Sequence, residues 1–152
     1  VKDLGCRSFA VLFDDIDKAL LPIDDPHFDS SAQAQVFLAN HVYDHLKEPR
    51  LFFFCPTEYC RAMAKGPVHK SEYLVEVGKY LHENIQVFWT GRRIVSSSYT
   101  TDELVKISKV LKRKPVIWDN LPPSGDTKPQ CWSDSEPELS IRSELRRFLV
   151  FL

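Results

Sequence analysis

The chain has 152 residues, 43% of them hydrophobic, enough for one globular core and not for two. Its 20 basic and 21 acidic residues are spread along the sequence and leave a formal charge of −1, so no basic patch marks a binder of nucleic acid or anionic lipid. The longest apolar runs, such as Leu51 to Cys55, are far too short to span a bilayer; four cysteines (Cys6, Cys55, Cys60 and Cys131) without a signal-peptide pattern read as reduced thiols in a cytosolic or nuclear setting.

The chain opens at Val1, directly before a strand, which suggests an excerpt of something longer. The first apolar run, residues 9–13, is continuous rather than alternating, as expected for a strand covered on both faces. It ends abruptly in Asp14, Asp15 and Asp17. Forcing like charges together where a strand leaves the core costs stability, which points to chemistry, while the plain alternative is a solvated acidic turn. Neighbouring strand residues face opposite ways, so the two acids share a site only where the strand's period breaks. Such a pair suits general acid/base work, with repulsion and partial burial holding one acid protonated and the other ionised. Asp15-x-Asp17 also fits a Mg²⁺ or Mn²⁺ site of a transferase or phosphatase, a minor alternative because no glycine-rich phosphate cradle or basic phosphate ligand accompanies it.

The loop that follows, with Pro22, Asp24, Asp25 and Pro26, is long for a strand-to-helix connection and is expected to form part of a binding face. A helix is predicted over Ser31–Leu46, started by Ser30 with Gln33 at capping-box spacing. His41 and His45 lie one turn apart on it, and without an intervening carboxylate base they read as a surface pair rather than a metal site. A second strand, Leu51–Cys55, runs into Cys55-Pro56-Thr57-Glu58-Tyr59-Cys60, where Glu58 and Tyr59 are able to hydrogen-bond a hydroxylated ligand and the two cysteines read as buried free thiols. Ser71 caps a helix over 72–82, with Leu74, Val77 and Leu81 on its core face. A third strand, Gln86–Trp89, closes in Trp89-Thr90-Gly91. Thr100 with Glu103 starts a helix over 102–111 whose core stripe is Leu104, Ile107 and Leu111. The fourth strand, 116–118, ends in Trp118-Asp119-Asn120. An aromatic beside a polar group at a strand end is what a sugar pocket uses, although a tryptophan there is commonly just core.

Four strands separated by amphipathic helices give the rhythm of a parallel α/β sheet, whose strand ends host function. From residue 121 the character changes to irregular chain, with no fifth strand expected, and then a short helix over 138–152 that ends in the exposed apolar run Phe148-Leu149-Val150-Phe151-Leu152.

The segments Gly5-Cys6-Arg7-Ser8-Phe9-Ala10, Leu12-Phe13-Asp14-Asp15-Ile16-Asp17, Phe54-Cys55-Pro56-Thr57-Glu58-Tyr59-Cys60, Trp89-Thr90-Gly91 and Pro115-Val116-Ile117-Trp118-Asp119-Asn120 resemble, in order and spacing, those of the O-GlcNAcases and related bacterial hyaluronidase-type β-N-acetylglucosaminidases. The resemblance implies a partial (β/α)₈ TIM-type barrel covering roughly strands 4–7 over residues 1–120, followed by a divergent tail over 121–152. It implies a glycosidase that removes β-linked N-acetylglucosamine from Ser and Thr of cytoplasmic and nuclear proteins by a substrate-assisted retaining route, without cofactor or metal, on O-GlcNAc-modified proteins or glycopeptides. For the whole enzyme it allows homo-oligomers, with no nucleic-acid or membrane partner. Asp14 would orient the sugar's acetamido group and Asp15 would act as acid and then base. Tyr59 would contact the acetamido region, and Trp118, Asp119 and Asn120 would line the sugar subsite. The family's first three strands, with a Gly-Phe loop and a sugar-binding Lys, would precede Val1, and its Asn-Asp-Tyr is replaced by Ser124-Gly125-Asp126. The alternative is therefore a catalytically inactive fragment or variant product of that enzyme.

Overall fold

The computed structural model describes residues 4–21, 23, 26–64 and 66–120. The expectations for Pro22, Asp24, Asp25 and the segment 121–152 lie outside the described residues. Among the described residues four strands alternate with three helices: β1 (Ser8–Leu12), α1 (Ser31–Leu46), β2 (Leu51–Cys55), α2 (Glu72–Tyr80), β3 (Gln86–Trp89), α3 (Thr101–Leu111) and β4 (Val116–Ile117). Two 3₁₀ turns, Arg61–Ala64 and Val68–Lys70, fill the connection from β2 to α2. The strands form one parallel sheet in the order β1-β2-β3-β4, with Ser8 opposite Leu51, Phe53 opposite Gln86 and Phe88 opposite Val116. This is the parallel α/β arrangement that the apolar runs predict.

Alternation divides the sheet's two faces. Phe52, Phe54, Val87 and Trp89, with Phe9, Val11, Phe13 and Ile117, pack against Val36, Ala39, Leu74, Val77, Ile107 and Leu111 of the helices, forming the main core. On the other face Phe53 stacks on Phe88 at 4.9 Å, and Phe88 meets Trp118 edge-on at 5.0 Å, an aromatic ladder across three strands. Leu12, on that face of β1, is 40% exposed, so the ladder's edge is open to solvent.

The helix starts follow the predicted capping. Ser30 Oγ accepts from Gln33 N–H at 3.0 Å, Ser71 Oγ from Leu74 N–H at 3.1 Å, and Thr100 Oγ1 from Glu103 N–H at 3.4 Å. The Gln33 side chain reaches back to Asp29 N–H at 2.7 Å rather than to the cap residue's own amide. Helix α2 ends at Tyr80, short of the predicted 82, because Leu81 turns extended (φ −69, ψ 133) while staying buried. Gly78 sets the distance between α2 and α3: a Cβ there would lie 2.0 Å from the Val110 carbonyl oxygen. No helix among the described residues is long and apolar enough to cross a membrane.

Candidate active site

Strand β1 keeps pairing one residue beyond its end, with Phe13 N–H donating to Cys55 O at 2.9 Å. Because Phe9, Val11 and Phe13 face the helices, continued alternation puts Asp14 on the ladder face, where it is half-buried. Asp15 then breaks the period. Its backbone is left-handed (φ 54), a region uncommon outside glycine but one that Asp tolerates, and the reversal brings its carboxylate to Tyr59, whose hydroxyl donates to Asp15 Oδ1 at 2.9 Å. Neighbouring acids are thereby gathered at one strand end instead of being splayed across the sheet.

The electrostatics agree with that gathering. Burial pushes the Cys55 thiol up, and the charges of Asp14 and then Asp15 add to it. Burial likewise raises the Tyr59 phenol, followed by its hydrogen bond to Asp15, with the Asp14 charge a smaller cause. Both acids therefore act on the same two side chains, and Tyr59 remains a protonated donor throughout the neutral range.

Tyr59 and Cys60 are buried and form a small cluster with Cys55, against which Met63, Phe88 and Trp118 pack. Tyr59 O accepts from Thr90 N–H at 2.9 Å, and Arg61 N–H donates to Gly91 O at 2.9 Å, so the connections leaving β2 and β3 are zipped together beneath the site. Trp118 hangs from β3 by its own N–H, which donates to Trp89 O at 3.0 Å. Asp14, Asp15, Tyr59 and Trp118 are thus brought around one cluster. Asp119 and Asn120 turn toward the connection from β3 to α3: Tyr99 donates to Asp119 Oδ1 at 3.5 Å and Asn120 Nδ2 donates to Ile94 O at 2.8 Å.

Glu58 is buried and its carboxylate is taken up internally: Oε1 accepts from Lys18 Nζ at 2.8 Å and Oε2 from Ser71 Oγ at 2.5 Å. Thr57 is likewise taken up internally, by Gln35 Nε2 at 2.8 Å and by its own N–H donating to the Tyr73 hydroxyl at 2.8 Å. Sequence reasoning missed Lys18 and Tyr99; the one visible signal was a lone cation directly after three acids.

Cys55 and Cys60 are buried free thiols, as the sequence suggests, and Cys6 is exposed. His41 and His45 are both exposed, His41 stacking on Phe37. Among the described residues no three His, Cys, Asp or Glu side chains gather as a metal site, so Asp15 and Asp17 have no third protein ligand there. A cleft of about 440 Å³ lies between the 3₁₀ turns and the start of α3, with Val68, Trp89 and Ile107 among its lining; neither Asp14 nor Asp15 lines it.

A parallel α/β sheet gathers two carboxylates, a phenol and an indole at one carboxyl edge, the edge where folds of this class carry their functional sites. A family profile described as beta-N-acetylglucosaminidase matches residues 1–131. The chain is 47% identical over 121 residues to the Protein O-GlcNAcase of Rattus norvegicus, and equally to that of Mus musculus, covering 80% of this chain and 13% of each relative. A solved mutant O-GlcNAc hydrolase of Thermobaculum terrenum superposes with a TM-score of 0.71 at 30% identity, covering 83% of this chain and 27% of that one. The chain belongs to the β-N-acetylglucosaminidase family, and it spans about an eighth of the length of the curated relatives it matches.

Proposed function

We propose that residues 1–120 supply strands four to seven of a (β/α)₈ barrel, with 121–152 a divergent tail, in an enzyme that removes β-linked N-acetylglucosamine from Ser and Thr of cytoplasmic and nuclear proteins. In this reading Asp14 accepts the acetamido N–H and polarises the group, so that its carbonyl oxygen attacks the anomeric carbon. Asp15 gives its proton to the glycosidic oxygen as the C–O bond breaks, releasing the Ser or Thr hydroxyl and leaving an oxazolinium ring whose N–H is still held by Asp14. The ionised Asp15 then takes a proton from water, whose oxygen adds to the anomeric carbon and reopens the ring with net retention. The sugar's own carbonyl replaces the carboxylate nucleophile of ordinary retaining glycosidases. Tyr59 contacts the acetamido region, the Trp118 indole offers a face for the sugar's C–H surface, and Asp119 and Asn120 line the subsite, Asn120 as a hydrogen-bond partner of the substrate. Names carried by the rat, mouse and bacterial relatives support O-GlcNAc as the leaving sugar.

The observation that carries this reading is the Tyr59 to Asp15 hydrogen bond, made across a left-handed Asp15 that shares its surroundings with Asp14. The test is turnover of an aryl β-N-acetylglucosaminide by a protein that carries this segment within a complete barrel. Asp15→Ala is expected to lower kcat/KM by about 10²- to 10⁴-fold, the range of a lost general acid. An unchanged rate refutes the assignment, and NMR of the first-formed product, expected to be the β-anomer, checks retention.

A second reading concerns the 152-residue chain alone. Among the described residues β1 and β4 each pair on one side only, and Leu12 is 40% exposed on the ladder face, which favours an isolated chain that aggregates or binds without turnover. Turnover by the purified 152-residue monomer would overturn it.

A further inference from the structure

Two adjacent residues of the connection after β2 reach back to the two ends of one turn. Tyr59 holds Asp15 at 2.9 Å, and Glu58 holds Lys18 at 2.8 Å. The acid segment is thereby closed into a ring: Asp15, the Tyr59 hydroxyl, the backbone from 59 to 58, the Glu58 carboxylate, the Lys18 ammonium, and the backbone from 18 back to 15.

The anchor of this ring is fixed. Glu58 is 7% exposed, and its second oxygen is taken by Ser71 Oγ at 2.5 Å, the same atom that caps α2 through Leu74 N–H. Lys18 makes a second bond to the Met63 carbonyl at 2.7 Å, so its ammonium is held by two partners while its side chain stays 37% exposed. An exposed ion pair contributes little, but removing the partner of a buried carboxylate leaves a charge without compensation. The turn needs holding, because a non-glycine residue in the left-handed region persists only where its surroundings over-determine it. The Asx-type bond from Ala19 N–H to Asp17 Oδ1 at 3.1 Å spans Lys18 and tightens the chain around that tie.

We propose that the Lys18–Glu58 pair is a positioning clip, fixing the left-handed turn so that Asp15 meets the Tyr59 hydroxyl. Lys18 acts on the acid only through the shape of the turn, and its importance for turnover rests on the acid/base reading of Asp15. The clip itself is tested without turnover, by ¹³C NMR of the side-chain carboxyls in the complete-barrel protein that carries this segment. Tyr59→Phe supplies the reference displacement of the Asp15 signal when the phenol bond is gone. Lys18→Met and Glu58→Gln are expected to displace that signal in the same direction, whereas Lys18→Arg, which keeps the charge, leaves it at the wild-type position. An Asp15 signal in Lys18→Met that superimposes on wild type overturns the proposal. Loss of the α1, α2 and α3 amide signals in that variant overturns it equally, since the pair would then be a requirement of the whole fold.

In the complete-barrel assay Lys18→Met is expected to lower kcat by about 10- to 100-fold with KM little changed, the signature of a misplaced catalytic group. The two readings fail separately. If Asp15→Ala leaves turnover intact while the carboxyl signals move as expected, the acid/base assignment falls and the clip stands. If Asp15→Ala abolishes turnover while Lys18→Met leaves the signal in place, the clip falls and the assignment stands.

Discussion

At the scale of single residues, the site depends on two backbone positions that side-chain chemistry alone does not reveal. Asp15 is one; Gly91 is the other, with φ 95 and with Ser96 Oγ and Tyr99 Cε1 each 2.7 Å from where a Cβ would stand. Gly91→Ala therefore meets both a disfavoured backbone and two neighbours that anchor the connection holding Asp119 and Asn120. It is expected to destabilise the protein by about 1–3 kcal/mol, read as a lower urea midpoint at unchanged m. The acid pair was legible because an apolar run ending in carboxylates is a local pattern. The direction of each carboxylate was not, since the sign of φ at residue 15 is not written in composition. The internal partner of Glu58 was hidden for a related reason: its type suggests a ligand contact, whereas Lys18 is forty residues away in sequence and only the fold brings it near.

Among the elements, the helix starts and the strands were legible because caps and apolar runs act within a few residues. Strands Leu51–Cys55 and Gln86–Trp89 and helix Ser31–Leu46 have the predicted bounds. The end of α2 was not legible, because the carbonyls that follow its last turn find their partner in Arg113, just beyond the end of α3. That guanidinium donates to Leu81 O at 2.8 Å, to His82 O and Ile85 O at 2.7 Å, and to Leu111 O at 3.1 Å through Nε. One side chain thus satisfies carbonyls at the end of α2, before β3 and at the end of α3. Arg113→Met is expected to cost about 2–4 kcal/mol in denaturant unfolding, since several carbonyls lose a charged donor. Arg113→Lys should recover only part of that, because a compact ammonium cannot span the fork. Full recovery by lysine would show that charge, not geometry, is what the carbonyls require.

For the molecule as a whole, burial of acidic protons sets its response to base. Burial is the first cause raising both the Cys55 thiol and the Tyr73 phenol above their ordinary ranges. In the unfolded chain such groups ionise near about 8.5 and about 10, while the folded protein keeps their protons. The native state then binds more protons than the unfolded one, so stability is fully present below pH about 8 and declines as pH rises past it, by up to about 1.4 kcal/mol per pH unit for each retained proton. Urea midpoints from pH 7 to 11 should fall, and Cys55→Ala should flatten the first part of that fall; a flat profile in the parent would contradict the assignment. The period-two alternation of the sheet also sorts its indoles. Trp89 looks into the helices at 3% exposure, and Trp118 packs on the ladder face against Phe88 and the cluster of Cys55, Tyr59 and Cys60. With Trp132, the third tryptophan of the sequence, replaced by Phe, one remaining fluorophore is an internal standard and the other an optical sensor of whatever occupies the carboxylate end. Emission that shifts from Trp118 while Trp89 stays constant would separate occupancy of that end from any loosening of the protein around it.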